Sequence, residues 1–212
     1  MRTPDSWRGA RVTVVIAAVT AAAWLLVLGS GSQAEAVARG AFVPGFLGLE
    51  LPFRRVPFAL TPLTATLLHA DAIHLIFNLL FLLFCGRAIE PVLGRASVII
   101  LYLVGAYAAA AGQYLVAPEE LAPMIGASGA ISAVIGAYAM LFGRNKVKVA
   151  SPELALWLHA LWLMATWVVL QTVVGIVFSS ADLRIAVAAH VGGFVPGVLL
   201  ARPLLLFRYR KA

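Results

Sequence analysis

Six apolar runs separated by short polar breaks dominate the chain, covering approximately residues 12–28, 72–89, 96–116, 127–142, 154–178 and 185–206. Runs of this length and hydrophobicity read as membrane-spanning helices. The pattern predicts an all-α polytopic membrane protein, a six-transmembrane-helix bundle forming one domain over 1–212. The fourth run is too short to cross alone. Its start at Ser128 must lie below the outer surface, and the loop 118–125 must dip inward to meet it. Irregular backbone survives at that depth only inside protein or beside a water-filled cavity.

Residues 29–71 form the longest stretch between runs, rich in glycine, proline and phenylalanine. It is too apolar for a solvated linker and is expected at the membrane interface or against the bundle. Ala34-Glu35-Ala36 loosely resembles a signal-peptide cleavage site. Removing the first run would leave five spans and spoil the charge pattern, so the run is read as a span.

With six spans, both termini share a side. That side holds twelve of the sixteen basic residues, in the tails and in the loops after spans two and four. The opposite side holds six of the nine acids, Glu35, Glu50, Asp71, Glu119, Glu120 and Asp182. By the positive-inside rule both termini are expected in the cytoplasm.

Composition fits this picture. The chain is 62% hydrophobic and 12% charged, against roughly 25% charge in a soluble domain. The net charge of +7 does not imply nucleic acid, because the basic residues lie at the ends of apolar runs. The single cysteine, Cys85, excludes an internal disulfide.

Polar residues inside the spans share a depth. Ser128 lies sixteen residues from Arg144, roughly 24 Å along a helix. His190 lies twelve from Arg202, roughly 18 Å, and His74 thirteen from Arg87, roughly 20 Å. Three separate spans thus bring polar groups to the outer half of the membrane.

Their chemistry is complementary. Ser128, between Gly126-Ala127 and Gly129, is the candidate nucleophile. His190 is the candidate general base and acid, an arrangement that activates a hydroxyl. Gly193 and Gly197 share a face of span six with His190. Such a face lets a helix press close to its neighbour; if that neighbour is span four, Gly136 would help, and Gly126 and Gly129 beside the serine are read as helix-packing support. No acid is positioned to orient the imidazole, so a dyad is expected. His74 and Asn78, one turn apart, are candidate oxyanion-hole donors with the Ser128 backbone N–H. Ser132 reads as a packing serine. His159 and Trp157, Trp162 and Trp167 read as packing or interfacial anchors, and Arg87 with Glu90 as a structural pair. His69, Asp71 and His74 carry no HExxH pattern, so no metal and no cofactor is expected.

Together these residues resemble the rhomboid family of intramembrane serine proteases. Its GxSG motif matches Gly126–Gly129, its AHxxGxxxG matches Ala189, His190, Gly193 and Gly197, and its HxxxN matches His74 and Asn78. Glu90 and Gly94 look like the family's Glu and Gly after helix two. The resemblance implies a serine endopeptidase that cleaves single-span transmembrane proteins within the bilayer through an acyl-enzyme on Ser128. Substrate would enter between helices two and five. Two departures stand out. Some members carry an aromatic one turn after the nucleophile, stacked on the histidine, where this chain has Ser132. The Trp-Arg pair of the first loop is absent, and Phe53-Arg54-Arg55 lies in that loop instead.

The alternative is a catalytically silent rhomboid-like protein that binds membrane segments. Such a binder would not need Ser128, His190, His74 and Asn78 together. A transporter would call for inverted repeats and paired broken helices, which the sequence lacks. The expected setting is a bacterial inner membrane, with the site opening to the outer side.

Overall fold

The computed structural model describes residues 7–50, 54–143, 151–178 and 187–210. The basic loop 144–150, the turn containing Asp182 and Arg184, Phe53, and the outermost residues of both tails lie outside the described residues.

Six long helices are present: α1 (Arg11–Gly29), α4 (Ala72–Leu93), α5 (Arg95–Val116), α6 (Ser128–Phe142), α7 (Pro152–Phe178) and α8 (Val187–Tyr209). Two short helices, α2 (Gln33–Gly40) and α3 (Thr61–Thr64), lie in the first loop. Five of the long helices are long and apolar enough to cross a membrane. This is an all-α, multi-pass membrane protein. The sixth, α6, has 15 residues and so spans only about 22 Å.

Local chemistry sets the boundaries. Asp71 caps α4, its Oδ1 accepting the His74 N–H at 2.8 Å. Gly94 ends α4 with φ +91°, past a proline in the last turn. α7 begins at Pro152, where a missing N–H costs nothing.

Burial ranks the helices. α6 is the central one, buried continuously from Gly129 to Ala137. It packs against α8, α5 and α4. α1 is peripheral and buries only Thr13, Ala17 and Thr20, a single stripe at helical spacing.

That stripe meets α4 at Glu90. The Glu90 carboxyl accepts the Val12 N–H at 2.9 Å, the Thr13 N–H at 2.8 Å and the Thr13 hydroxyl at 2.7 Å. This corrects the expected Arg87–Glu90 pair. Arg87 instead lies over the Trp7 ring at 5.0 Å, with its Nε unpartnered among the described residues. A buried acid needs its lone pairs filled, and the orphan N–H groups at the start of α1 are well placed to do so.

The first loop packs against the bundle. Phe42 and Met124 exchange backbone hydrogen bonds at 3.2 and 2.8 Å, and the Gly45 N–H reaches the Glu120 carbonyl at 3.0 Å. The segment leading to Ser128 is therefore pinned to the first loop at these points, while Leu121 and its neighbours Pro118, Glu119, Ala122 and Pro123 stay exposed.

Candidate active site

Ser128 is the first residue of α6. The chain approaches it through Gly126, whose φ of +106° disfavours any side chain. Space excludes one as well, since a Cβ there would lie 2.6 Å from Cε1 and Nε2 of His74. The Gly126 N–H donates to the Ala65 carbonyl at 2.9 Å, tying this turn to the first loop.

His190 lies on α8, buried at 7% exposure. Its Nε2 and the Ser128 Oγ are hydrogen-bonded at 2.8 Å, across 62 residues of sequence. Close approach of α8 to α6 makes this possible. A Cβ on Gly193 would collide with the Gly129 carbonyl, and one on Gly197 with the Ala133 carbonyl. On α6, a Cβ at Gly136 would lie 2.6 Å from the Phe194 carbonyl. Gly129 faces the other way, against Ala109 of α5. Gly129 thus contributes to two interfaces, through its carbonyl to α8 and through its Cα to α5.

The His190 Nδ1 has no hydrogen-bond partner among the described residues. A hydroxyl hydrogen-bonded to an imidazole nitrogen can pass its proton there as it attacks a carbonyl, provided the imidazole carries its own proton on Nδ1.

His74 and Asn78 share a face of α4. The His74 ring abuts Gly126, two residues before Ser128. Asn78 is buried, and its Nδ2 donates to the His74 carbonyl at 2.8 Å. One of its two N–H groups is spent within α4, and the second has no acceptor among the described residues.

His69 lies just outside α4 and is almost fully buried. Its ring meets His74 edge-on with centroids 5.0 Å apart. Burial, reinforced by the neighbouring His74, pushes its pKa down to about 3. The His69 carbonyl accepts the Trp24 indole N–H at 3.1 Å and the Gln33 amide at 3.2 Å. In the same loop Arg55 donates to the Ala41 carbonyl at 3.1 Å and lies over the Phe46 ring at 5.0 Å.

One neighbour of the Ser128–His190 pair escaped the sequence. Trp157 and Trp162 are exposed on α7, but Trp167 is buried at 5% exposure. Its ring meets His190 edge-on at 6.4 Å. Its Nε1 donates to the Ser132 hydroxyl at 3.1 Å, and Ser132 in turn donates to the Ser128 carbonyl at 2.8 Å. α7 is mostly apolar on every face, so spacing along it carries little signal that distinguishes Trp167 from the two exposed tryptophans.

Comparison with known proteins gives a consistent picture. The family model described as Rhomboid domain matches residues 59–207. The rhomboid protease GlpG of Yersinia pestis (strain Pestoides F) is 31% identical over 134 residues, 63% of this chain and 44% of that protein. The rhomboid protease GlpG of Photorhabdus laumondii subsp. laumondii is 31% identical over 138 residues, 65% of this chain and 45% of that protein. The chain thus spans somewhat less than half the length of these relatives. With the family model covering most of the chain and every motif position from His74 to Gly197, the chain belongs to the rhomboid family.

Proposed function

We propose that this protein is an intramembrane serine endopeptidase acting on transmembrane segments of membrane proteins through a Ser128–His190 dyad. The observation that carries the reading is the 2.8 Å hydrogen bond between His190 Nε2 and Ser128 Oγ. Membership of the rhomboid family and relatives named as rhomboid proteases support it.

Ser128 Oγ attacks the scissile carbonyl while His190 Nε2 takes the hydroxyl proton. The oxyanion is stabilised by the Ser128 N–H, His74 and the free N–H of Asn78, donors whose contribution rises as charge develops. His190 then protonates the leaving amine, giving an acyl-enzyme on Ser128. Water, activated by the same imidazole, releases the second product and restores the hydroxyl.

Substrates are single-span proteins that enter between α4 and α7. Both termini face the cytoplasm and the site opens to the outer side of a bacterial inner membrane, as the distribution of basic residues suggests.

The test is cleavage of a single-span substrate panel by the protein reconstituted in liposomes. Native protein is expected to cut at least one substrate and Ser128→Ala none. Cleavage undiminished in Ser128→Ala would overturn the proposal. A native protein that binds the segments without cutting would favour the silent-binder alternative.

A further inference from the structure

We infer that Trp167 is a positioning residue for His190, and that the Ser132 hydroxyl fixes Trp167 in that role. The inference rests on the nucleophile–base reading of Ser128 and His190 and extends it.

An imidazole held by one hydrogen bond is poorly fixed, because rotation about the bond to its ring is soft. His190 has Ser128 Oγ on Nε2 and no partner on Nδ1 among the described residues. Something else must restrict the ring. Trp167 meets it edge-on, with centroids 6.4 Å apart and planes at 65°, within the range in which aromatic edges attract.

The indole is itself constrained on two sides. Phe81 of α4 packs against it at 5.1 Å and 84°. Its Nε1–H ends on the Ser132 Oγ at 3.1 Å. A buried indole N–H needs such an acceptor. Ser132 is fully buried and serves twice, since its own proton goes to the Ser128 carbonyl at 2.8 Å. The contacts close a circuit from the Ser128 carbonyl through Ser132, Trp167 and His190 back to the Ser128 hydroxyl. Three helices contribute to it. The ring that restrains His190 comes from α7, while the nucleophile and its base lie on α6 and α8. The departure at Ser132 therefore has a compensating partner. A small hydroxyl on α6 leaves room for the indole and anchors it.

The test uses the whole protein in detergent and a small alkyl fluorophosphonate, which reads Ser128 reactivity without passage of a helix between α4 and α7. Labelling rates at Ser128 are compared for native protein, Trp167→Ala, Trp167→Phe, Ser132→Ala and the double variant Trp167→Ala/Ser132→Tyr. Melting temperatures are measured in parallel. Trp167→Ala is expected to label at least about ten-fold more slowly, since small misplacements of a catalytic group are costly. Trp167→Phe and Ser132→Ala, which each break the anchor and keep a ring at 167, are expected to slow labelling by less. The double variant, which returns an aromatic ring from α6, is expected to recover most of the native rate. Native-rate labelling in a folded Trp167→Ala or Trp167→Phe would overturn the inference. So would a loss that simply follows melting temperature and is not recovered in the double variant. A native protein unlabelled at Ser128 removes the nucleophile–base reading, and this inference with it, and so is told apart from failure of Trp167 alone.

Discussion

Gly197 of α8 lies so close to Ala133 of α6 that a single added carbon would collide with the Ala133 carbonyl oxygen. The next turn repeats the relationship, Gly193 against Gly129. These contacts bring the helix backbones together, and the Ser128–His190 hydrogen bond depends on that approach. Membrane helices gain little from apolar burial against each other, so close backbone packing carries much of their association.

Gly197→Ala should therefore force α8 from α6. The obstructing atom is backbone and cannot swing aside. An expected loss of about 1–3 kcal/mol follows from overpacking, read as a lower melting temperature in detergent. Gly29→Ala is the control, since nothing lies within 4 Å of a Cβ there. A Gly197→Ala variant melting with the native protein would contradict this account of the interface.

Glu90 should matter more to stability than Arg87. Removing its carboxyl in Glu90→Ala strands two N–H groups and a hydroxyl at the start of α1. Each buried polar group left unpaired costs about 1–3 kcal/mol. Thr13→Val removes one of the three bonds and should cost about 1 kcal/mol. The expected order of melting temperatures is native, then Arg87→Ala, then Thr13→Val, then Glu90→Ala. If Arg87→Ala were the most damaging, the acid would be paired as the sequence first suggested.

Acid should destabilise the fold through His69. Its pKa is pushed down to about 3 in the folded protein, against roughly 6.5 when unfolded. Between those values the unfolded chain binds the proton and the folded chain does not. Stability therefore rises with pH across the window and is lost progressively as pH falls below about 6.5. Melting temperature measured from pH 7.5 to 4 should fall, and His69→Phe should flatten part of that fall. An unchanged pH dependence in His69→Phe would show that other groups set it.

The sequence makes the six long helices visible because each is a long apolar run bounded by proline, glycine or charge. The observed ends, such as Arg95 and Val116 of α5, lie within a few residues of the expected ones. Ser128, His190 and His74 stood out as candidates in the sequence, because polar groups are rare in such runs and their expected depths agree. Residues 29–71 were less so. Their structure depends on pairings such as Phe42 with Met124, which no local pattern announces. Arg87 and Glu90 are near neighbours on one helix, so sequence favours pairing them. The competing partner, the open start of α1, is 77 residues away from Glu90 at Thr13. Trp167 was hidden for a related reason. Its hydrogen bond crosses to another helix, and a tryptophan in an apolar run looks the same whether it faces lipid or a histidine.

The most direct measurement is labelling of the purified protein with a fluorophosphonate, with the modified residue mapped by mass spectrometry. The account predicts modification at Ser128 in the native protein and none in a folded His190→Ala variant, since the imidazole activates that hydroxyl. Modification at another serine, or equal labelling of Ser128 without His190, would contradict it.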